Sequence, residues 1–418
     1  MRLSLSLRRT MNCLLRRGRA LTAPCLFVLL LLATSPVASA DEEALRQEIE
    51  ALKKALQALE QRLEAQEQKA AAPPQPAASP DADIDREFMD TDPAGAAKWY
   101  ERTSLGGYGE MHLNLGDLDE IDFHRWILYV NHDFTDQIRF VSELELEHSI
   151  AGEGQNGEIE LEQAYLEFDI GKNYQARGGL FLLPIGIMNE THEPTTFFGT
   201  ERNPIERELI PTTWWEGGVS LNQNLSQGLR WDLAFHSGLA VPSTGANAYR
   251  FRSGRQKVSE ADASEWATTA RVRYTGIPGL ELGSSLQYQS DITPDITEEN
   301  DAGLGEAHID LNKAGFRLRA LAAYWNIDGA MPEALGLDEQ WGYYLEPSYT
   351  IGLGSRSRLG FFGRYNQFDA AQGDLRQWDV GANYWPIDRV VIKADYSYID
   401  NRDADTENIY NVGLGYVF

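Results

Sequence analysis

Apolar and polar residues alternate along most of the chain from Thr103 to Phe418. A period of two is typical of β-strands that have one apolar face and one polar face. The pattern therefore predicts an all-β region, but it leaves open whether the polar face points outward to water or inward into a lumen. One segment shows the alternation, with Leu229, Trp231, Leu233 and Phe235 on one parity and Arg230, Asp232, Ala234 and His236 on the other.

The connections between the predicted strands alternate in length. Short turns such as Thr135-Asp136 are opposed by long segments at 186–213, 239–263, 291–304 and 327–339. Outer-membrane barrels have short turns at one rim and long loops at the other, whereas a soluble sandwich has no reason for this asymmetry. We therefore expect residues 103–418 to form a transmembrane antiparallel β-barrel. About sixteen strands are predicted, beginning near residues 103, 122, 137, 158, 173, 214, 228, 264, 279, 305, 315, 340, 357, 376, 389 and 408.

The first 40 residues have the features of a signal peptide. Six arginines precede the apolar stretch from Leu26 to Leu32, and Ala38-Ser39-Ala40 supplies small residues for cleavage. Both cysteines, Cys13 and Cys25, lie in this segment, so no disulfide is expected beyond it. The remaining chain has 31 basic and 63 acidic residues, a net charge of −32, which disfavours nucleic acid as a partner. It has no apolar run of about 18 residues, so no transmembrane helix is predicted.

Residues 41–68 carry a heptad pattern, which predicts a short coiled coil. The Ala- and Pro-rich residues 69–102 predict a disordered linker. We expect both to lie in the periplasm, with the barrel in the bacterial outer membrane. The heptad seam comprises Leu45, Ile49, Leu52, Leu56, Leu59, Leu63 and Gln66.

Four segments and one long connection resemble the early strands and the third loop of the phosphate-selective porin O/P family. They are 123–130 (FHRWILYV), 138–145 (IRFVSELE), 162–168 (EQAYLEF), 178–186 (GGLFLLPIG) and the loop Asn189 to Pro211. The resemblance implies a homotrimer of sixteen-stranded barrels, each with its own pore and with the third loop folded inside. It also implies contact with outer-membrane lipid and lipopolysaccharide, and a terminal aromatic residue, Phe418, that the barrel-assembly machinery reads.

The parity of the strands predicts which charged residues line the pore. Basic residues dominate the later strands and acidic ones the third and fourth strands, so the walls are expected to have opposite signs and to place a field across the pore. For any single arginine, pairing with a neighbouring acid is the simpler alternative. The predicted basic lining is Arg125, Arg139, Arg177, Arg230, Arg271, Arg273, Arg317, Arg319, Arg364 and Lys393, and the predicted acidic lining is Glu143, Glu145, Glu147 and Glu167.

The third loop predicts the solute class. Phosphate-specific relatives use a ladder of arginine and lysine, because guanidinium groups match phosphate oxygens. Here the ladder is mixed and the loop is net acidic, which favours a general diffusion channel for small hydrophilic solutes or ions. A phosphate- or anion-selective porin and a structural tether to the cell wall are the alternatives. The predicted constriction residues are Glu190, Glu193, Arg202, Glu206, Arg207 and Glu208.

Catalytic chemistry has little support in the sequence. The seven histidines show no metal-ligand spacing, and no serine–histidine pair is evident near a lipid interface. We therefore expect no enzymatic activity, no cofactor and no metal site.

Overall fold

The computed structural model describes residues 98–262, 264–402 and 405–418. The predicted signal peptide, the coiled coil and nearly all of the predicted linker lie outside these residues. The chain divides between Trp99 and Tyr100 into two units, and the strands all belong to the second.

The described chain forms a closed antiparallel barrel of sixteen strands in which each strand pairs with its sequence neighbours and β1 pairs with β16. This confirms the predicted all-β barrel, and every predicted strand start lies within four residues of an observed one. The strands are β1 Thr103–Gly116, β2 Glu120–Asp133, β3 Ile138–Glu147, β4 Ile159–Ile170, β5 Tyr174–Leu182, β6 Trp215–Asn224, β7 Leu229–His236, β8 Ala267–Ile277, β9 Leu280–Gln289, β10 Asp301–Lys313, β11 Phe316–Asp328, β12 Glu339–Gly352, β13 Arg358–Ala370, β14 Gly373–Ile387, β15 Val390–Asn401 and β16 Glu407–Val417.

The helical elements of the described residues are few and short. One α-helix, α1, spans Ala330–Leu335, and a π-helical turn spans Ile205–Leu209. Three 3-10 turns lie at Trp99–Glu101, Ser226–Gly228 and Phe251–Gly254. In the part of the chain that is described, no helix is long and apolar enough to cross a membrane.

The two rims of the barrel differ. One, the turn rim, has tight connections such as 314–315 and 388–389, whereas the other, the loop rim, carries loop 3 (183–214) and loop 4 (237–266). The alternation has two exceptions on the loop rim, because the β1–β2 and β13–β14 connections have only three and two residues. The loop rim therefore carries no long loop at these two places.

The outward face carries aromatic side chains near both rims. Tyr343, Tyr365, Trp378 and Tyr398 form a row across β12 to β15 towards the loop rim, with ring centroids 5.2–6.1 Å apart. Towards the turn rim, Phe418 stacks on Trp126 at 6.4 Å, and its backbone exchanges hydrogen bonds with Gly107 of β1. Amphipathic rings at two levels are typical of a protein that meets both membrane interfaces.

Apolar side chains also fill part of the interior, which strand parity did not predict. Trp214 of loop 3, Phe251 of loop 4 and Trp325 of β11 belong to one fully buried cluster, and Phe251 stacks on Trp325 at 4.1 Å. The inward residues Leu321 and Ala323 of β11 join it. Because loops 3 and 4 fold into the barrel, their apolar side chains are removed from water against this wall.

Two bulges change the parity of the strands beside loop 3. On β3, Glu143 pairs with Gln163 while the next residue, Leu144, pairs with Leu161, so Glu162 is the extra residue of β4. A second shift occurs between Glu110 and His112 on β1. A bulge lets neighbouring residues of one strand face the same side, and bulges are frequent next to functional sites.

Candidate functional site

Loop 3 runs through the lumen and touches the wall on several sides. Its backbone and side chains reach β1 and β2, then β8, and then β11 through β15. The structure thus places the segment predicted as a constriction loop inside the barrel.

The last strand makes room for the loop. A Cβ atom added to Gly415 would lie 2.5 Å from Pro194, and one added to Gly413 would lie 3.1 Å from Thr200. Close approach of two backbones requires glycine. The glycine-bearing face of β16 therefore packs against loop 3. The opposite face of the strand carries the exposed side chains of Tyr410, Val412 and Leu414.

Cationic side chains of the wall hold the loop by its carbonyl oxygens. Each donates to a backbone oxygen that no strand or helix satisfies, so the loop gains partners that it could not supply itself. The donors and acceptors are Arg125 to His192 (2.9 Å), Arg319 to Thr196 (3.1 Å), Arg317 to Thr196 (3.3 Å), Arg364 to Phe198 (3.4 Å) and Lys393 to Gly199 (2.8 Å).

The predicted pore-lining arginines all lie inside the barrel and are ion-paired. The walls therefore carry far less uncompensated positive charge than a bare count of arginines indicates. The pairs are Arg125 with Glu110, Arg139 with Glu167 and Asp169, Arg177 with Glu167, Arg230 with Asp232, Arg271 with Asp232 and Glu190, Arg273 with Glu281, Arg317 and Arg319 with Asp310, and Arg364 with Glu346 and Asp379.

The later-strand arginines differ in exposure, which the parity of the strands does not predict. Arg271, Arg319 and Arg364 are each 4% exposed because loop 3 covers them. Arg273 and Arg317 keep 31% and 25% of their side chains exposed.

The predicted constriction residues have different roles in the structure. Glu206 is fully buried and accepts hydrogen bonds from Ile187 N (2.8 Å), Met188 N (2.6 Å) and Tyr344 Oη (2.8 Å), so it supports the fold of loop 3. The remaining residues are placed as follows: Glu208 pairs with Arg207 and Arg250, Glu190 pairs with Arg271, and Glu193 is half-buried.

A cavity of about 600 Å³ lies between loop 3 and the later strands, on the turn-rim side. Its lining includes a mixture of charges, with more guanidinium groups than carboxylates. Such a lining suits water and polar solutes. The charged residues that line it are Arg271, Arg273, Arg317, Arg319, Arg358, Glu190, Glu281 and Asp310.

Three arginines of loops 3 and 4 meet at the loop rim, around Thr212 and Thr213. Arg202 donates to Thr213 Oγ1 (3.0 Å), Arg252 to Thr212 O (2.6 Å) and Arg255 to Thr213 O (2.7 Å). Within the described residues none of the three forms an ion pair. Burial, together with the neighbouring Arg255, lowers the pKa of Arg252 from 12.5 to about 9. This arginine cluster (Arg202, Arg252 and Arg255) would gain stability from a bound anion.

Histidine and carboxylate side chains form two groups whose geometry could hold a metal ion, whereas the sequence analysis predicts no metal site. Asp122, His124 and His148 meet at the loop rim, and Glu143, Glu162 and His192 meet where loop 3 reaches β3 and β4. Strand pairing and loop insertion bring the members together, so no spacing in the sequence signals them. A third group, Glu147, Glu158 and Glu160, contains two carboxylates that pair with Lys257 of loop 4.

Comparison with other proteins places the chain beside one relative. An uncharacterized protein of Aquifex aeolicus (strain VF5) is 30% identical in an alignment 353 residues long, which covers 75% of this chain and 80% of the Aquifex protein. No family model matches the chain.

Solved structures of outer-membrane proteins share the fold. The anion-selective porin from Comamonas acidovorans aligns with a TM-score of 0.54 at 11% identity, covering 76% of this chain and 99% of that one. OmpF of Salmonella typhi, solved in complex with daunomycin, gives 0.53 at 12% identity and covers 76% and 97%. OprB of Pseudomonas putida gives 0.51 at 11% identity and covers 76% and 95%. At these identities the likeness shows the fold alone, a barrel of the porin type.

Proposed function

The chain belongs to the same family as the Aquifex aeolicus protein, and we propose that it is an outer-membrane porin, a water-filled channel for small hydrophilic solutes. The observation that carries this proposal is the contrast between the two faces of the barrel. The outer face is apolar with aromatic rows, whereas the inner face holds charged pairs and a polar cavity of about 600 Å³. A barrel in lipid needs an apolar outer face, and diffusion of polar solutes needs a polar interior.

Conductance in planar lipid bilayers tests the proposal. The folded full-length protein should insert and give discrete current steps in potassium chloride. Heat-modifiable migration on gels shows that the sample is a folded barrel, and a boiled sample is the control. A folded barrel that gives no current steps would overturn the assignment.

A homotrimer in the outer membrane, with the N-terminal segment in the periplasm, is the assembly that we propose. It rests on the sequence resemblance to trimeric porins and on the heptads of residues 41–68. Lipid, lipopolysaccharide and the barrel-assembly machinery are the expected partners. Native mass spectrometry in detergent should give three chains per particle.

An anion-selective porin is the second candidate, because of the arginine cluster at the loop rim. Three guanidinium groups that form no ion pair with any described residue would raise the local concentration of anions at the mouth. Net acidic loop 3 favours the opposite selectivity. The sign of the reversal potential in a potassium chloride gradient separates the two, and competition by phosphate against chloride tests the phosphate-selective form.

A further inference from the structure

We propose that Glu143, Glu162 and His192 bind a divalent transition-metal ion, Zn²⁺ first of all, which joins loop 3 to the β3–β4 wall. Glu143 lies on β3, Glu162 on β4 and His192 on loop 3. Their exposed fractions are 1%, 1% and 2%. The Nε2 atom of His192 lies 3.7 Å from Glu143 Oε1 and 3.6 Å from Glu162 Oε2.

These distances are too long for hydrogen bonds; they are within the range of an ion pair, and they also suit two ligands of one ion. A side-chain contact at 3.6 Å is outside the hydrogen-bond range. Two ligand atoms about 2.1 Å from a tetrahedral ion lie about 3.4 Å from each other. Three atoms that face this space, Glu143 Oε1, Glu162 Oε2 and His192 Nε2, make no hydrogen bond.

The surroundings orient the ligands. His192 Nδ1 bonds the carbonyl oxygen of Asn189 at 3.2 Å. A carbonyl only accepts, so Nδ1 carries a proton. Without a metal, a second proton on Nε2 pairs His192 with the two glutamates, and a bound ion would take the place of that proton. Glu143 Oε2 accepts from Gln163 at 2.6 Å, which leaves its Oε1 towards the histidine.

The charges of the buried side chains around this group also favour a bound cation. Glu145 is 2% exposed, and its Oε1 also makes no hydrogen bond. The nearby Arg125 is paired with Glu110 at 2.5 Å, so an imidazolium of His192 supplies a single positive charge to the three acids Glu143, Glu145 and Glu162. Buried acids of this number need a cation. The β4 bulge at Glu162 supplies the third acid, because it lets Glu162 and Gln163 face inward together.

Zinc content of the full-length protein is the test. The folded protein is stripped with EDTA, loaded with Zn²⁺ alone, passed over a desalting column and analysed by elemental mass spectrometry. We expect about one retained zinc per chain in the wild type and at least a tenfold loss of affinity in Glu162→Gln and His192→Gln. Asp122→Asn is the matched control, since it removes a ligand from the other histidine group, and it should retain the zinc. Heat-modifiable migration shows that each variant is folded.

X-ray absorption spectroscopy of the zinc-loaded wild type counts the imidazole ligands of the zinc without any substitution. The proposed site has one imidazole ligand, whereas the Asp122, His124 and His148 group would give two. One imidazole with oxygen ligands supports the proposal. Two imidazoles, retention of zinc in the folded His192→Gln protein, or a folded wild type that retains no zinc would overturn it. Conductance is measured separately, so a metal-free protein that still conducts rejects the metal site without rejecting the porin.

Discussion

The two sides of loop 3 are attached to the barrel by opposite chemistry. On the β11–β15 side, arginines of the wall donate to loop carbonyls, and each of these arginines also has a carboxylate partner, as Arg364 has in Glu346 (3.1 Å) and Asp379 (2.9 Å). On the β3–β4 side, carboxylates of the wall face a single histidine at distances beyond hydrogen bonding.

This difference distinguishes the side that holds loop 3 in place from the side that is proposed to bind a metal ion. A buried polar network whose charges balance is stable without a ligand, whereas buried groups that lack partners require one. The β11–β15 side therefore explains how loop 3 is held in place. The β3–β4 side explains where an added cation would act.

The largest change in the free energy of unfolding is expected on the β11–β15 side, where the buried charges balance. Arg364→Ala removes the cation between Glu346 and Asp379, both of which remain buried, and should lower the free energy of unfolding by about 3–5 kcal/mol. Arg273→Ala is the matched control, because Arg273 is partly exposed and lies 3.8 Å from Glu281; it should cost about 1 kcal/mol or less. Denaturant titration of tryptophan fluorescence in detergent measures both. Equal small losses would show that loop 3 does not depend on its arginines.

Much of the barrel could be predicted from the sequence, because alternation reports directly which residues share a face. The inward positions of Arg319 and Glu143 follow from it. Their burial does not, because it depends on a loop distant in sequence. The apolar residues Leu321 and Trp325 at inward positions of β11 were a signal that something covers this wall.

The β3–β4 group was missed for a different reason. Glu162 and Glu167 have opposite parity, so a strict period of two can place only one of them inward. The bulge beside Glu162 breaks that period and turns both inward. A bulge of this kind depends on pairing between strands, and the sequence of β4 alone does not mark it.

The second prediction is that replacing a buried carboxylate changes the free energy of unfolding in opposite directions on the β3–β4 and β11–β15 sides of loop 3. In EDTA, Glu162→Gln should raise the free energy of unfolding by roughly 1–2 kcal/mol, because it removes one of several crowded buried carboxylates. Asp379→Asn should lower it, because Asp379 is the partner of Arg364. Saturating Zn²⁺ should reverse the order of wild type and Glu162→Gln, since only the wild type gains from binding. Destabilisation by Glu162→Gln in EDTA would mean that the ion pair of Glu162 with His192 outweighs the repulsion among the buried acids.

The smallest expected effect is on ion selectivity. It concerns arginines at the loop rim that form no ion pair with any described residue. Exchanging Arg202 and Arg255 for glutamine should move the reversal potential towards cation selectivity, since two positive charges leave the mouth while loop 3 keeps its acids. The expected change is about 1 kcal/mol or less per permeating ion. It should shrink as salt rises, because the Debye length is about 10 Å at 0.1 M. The double variant Arg250→Gln and Glu208→Gln is the control, because it removes an ion pair (3.1 Å) and leaves the net charge of the mouth unchanged. If the control shifts the potential as much as the exchange of Arg202 and Arg255 does, pairing does not decide which arginines act on permeating ions.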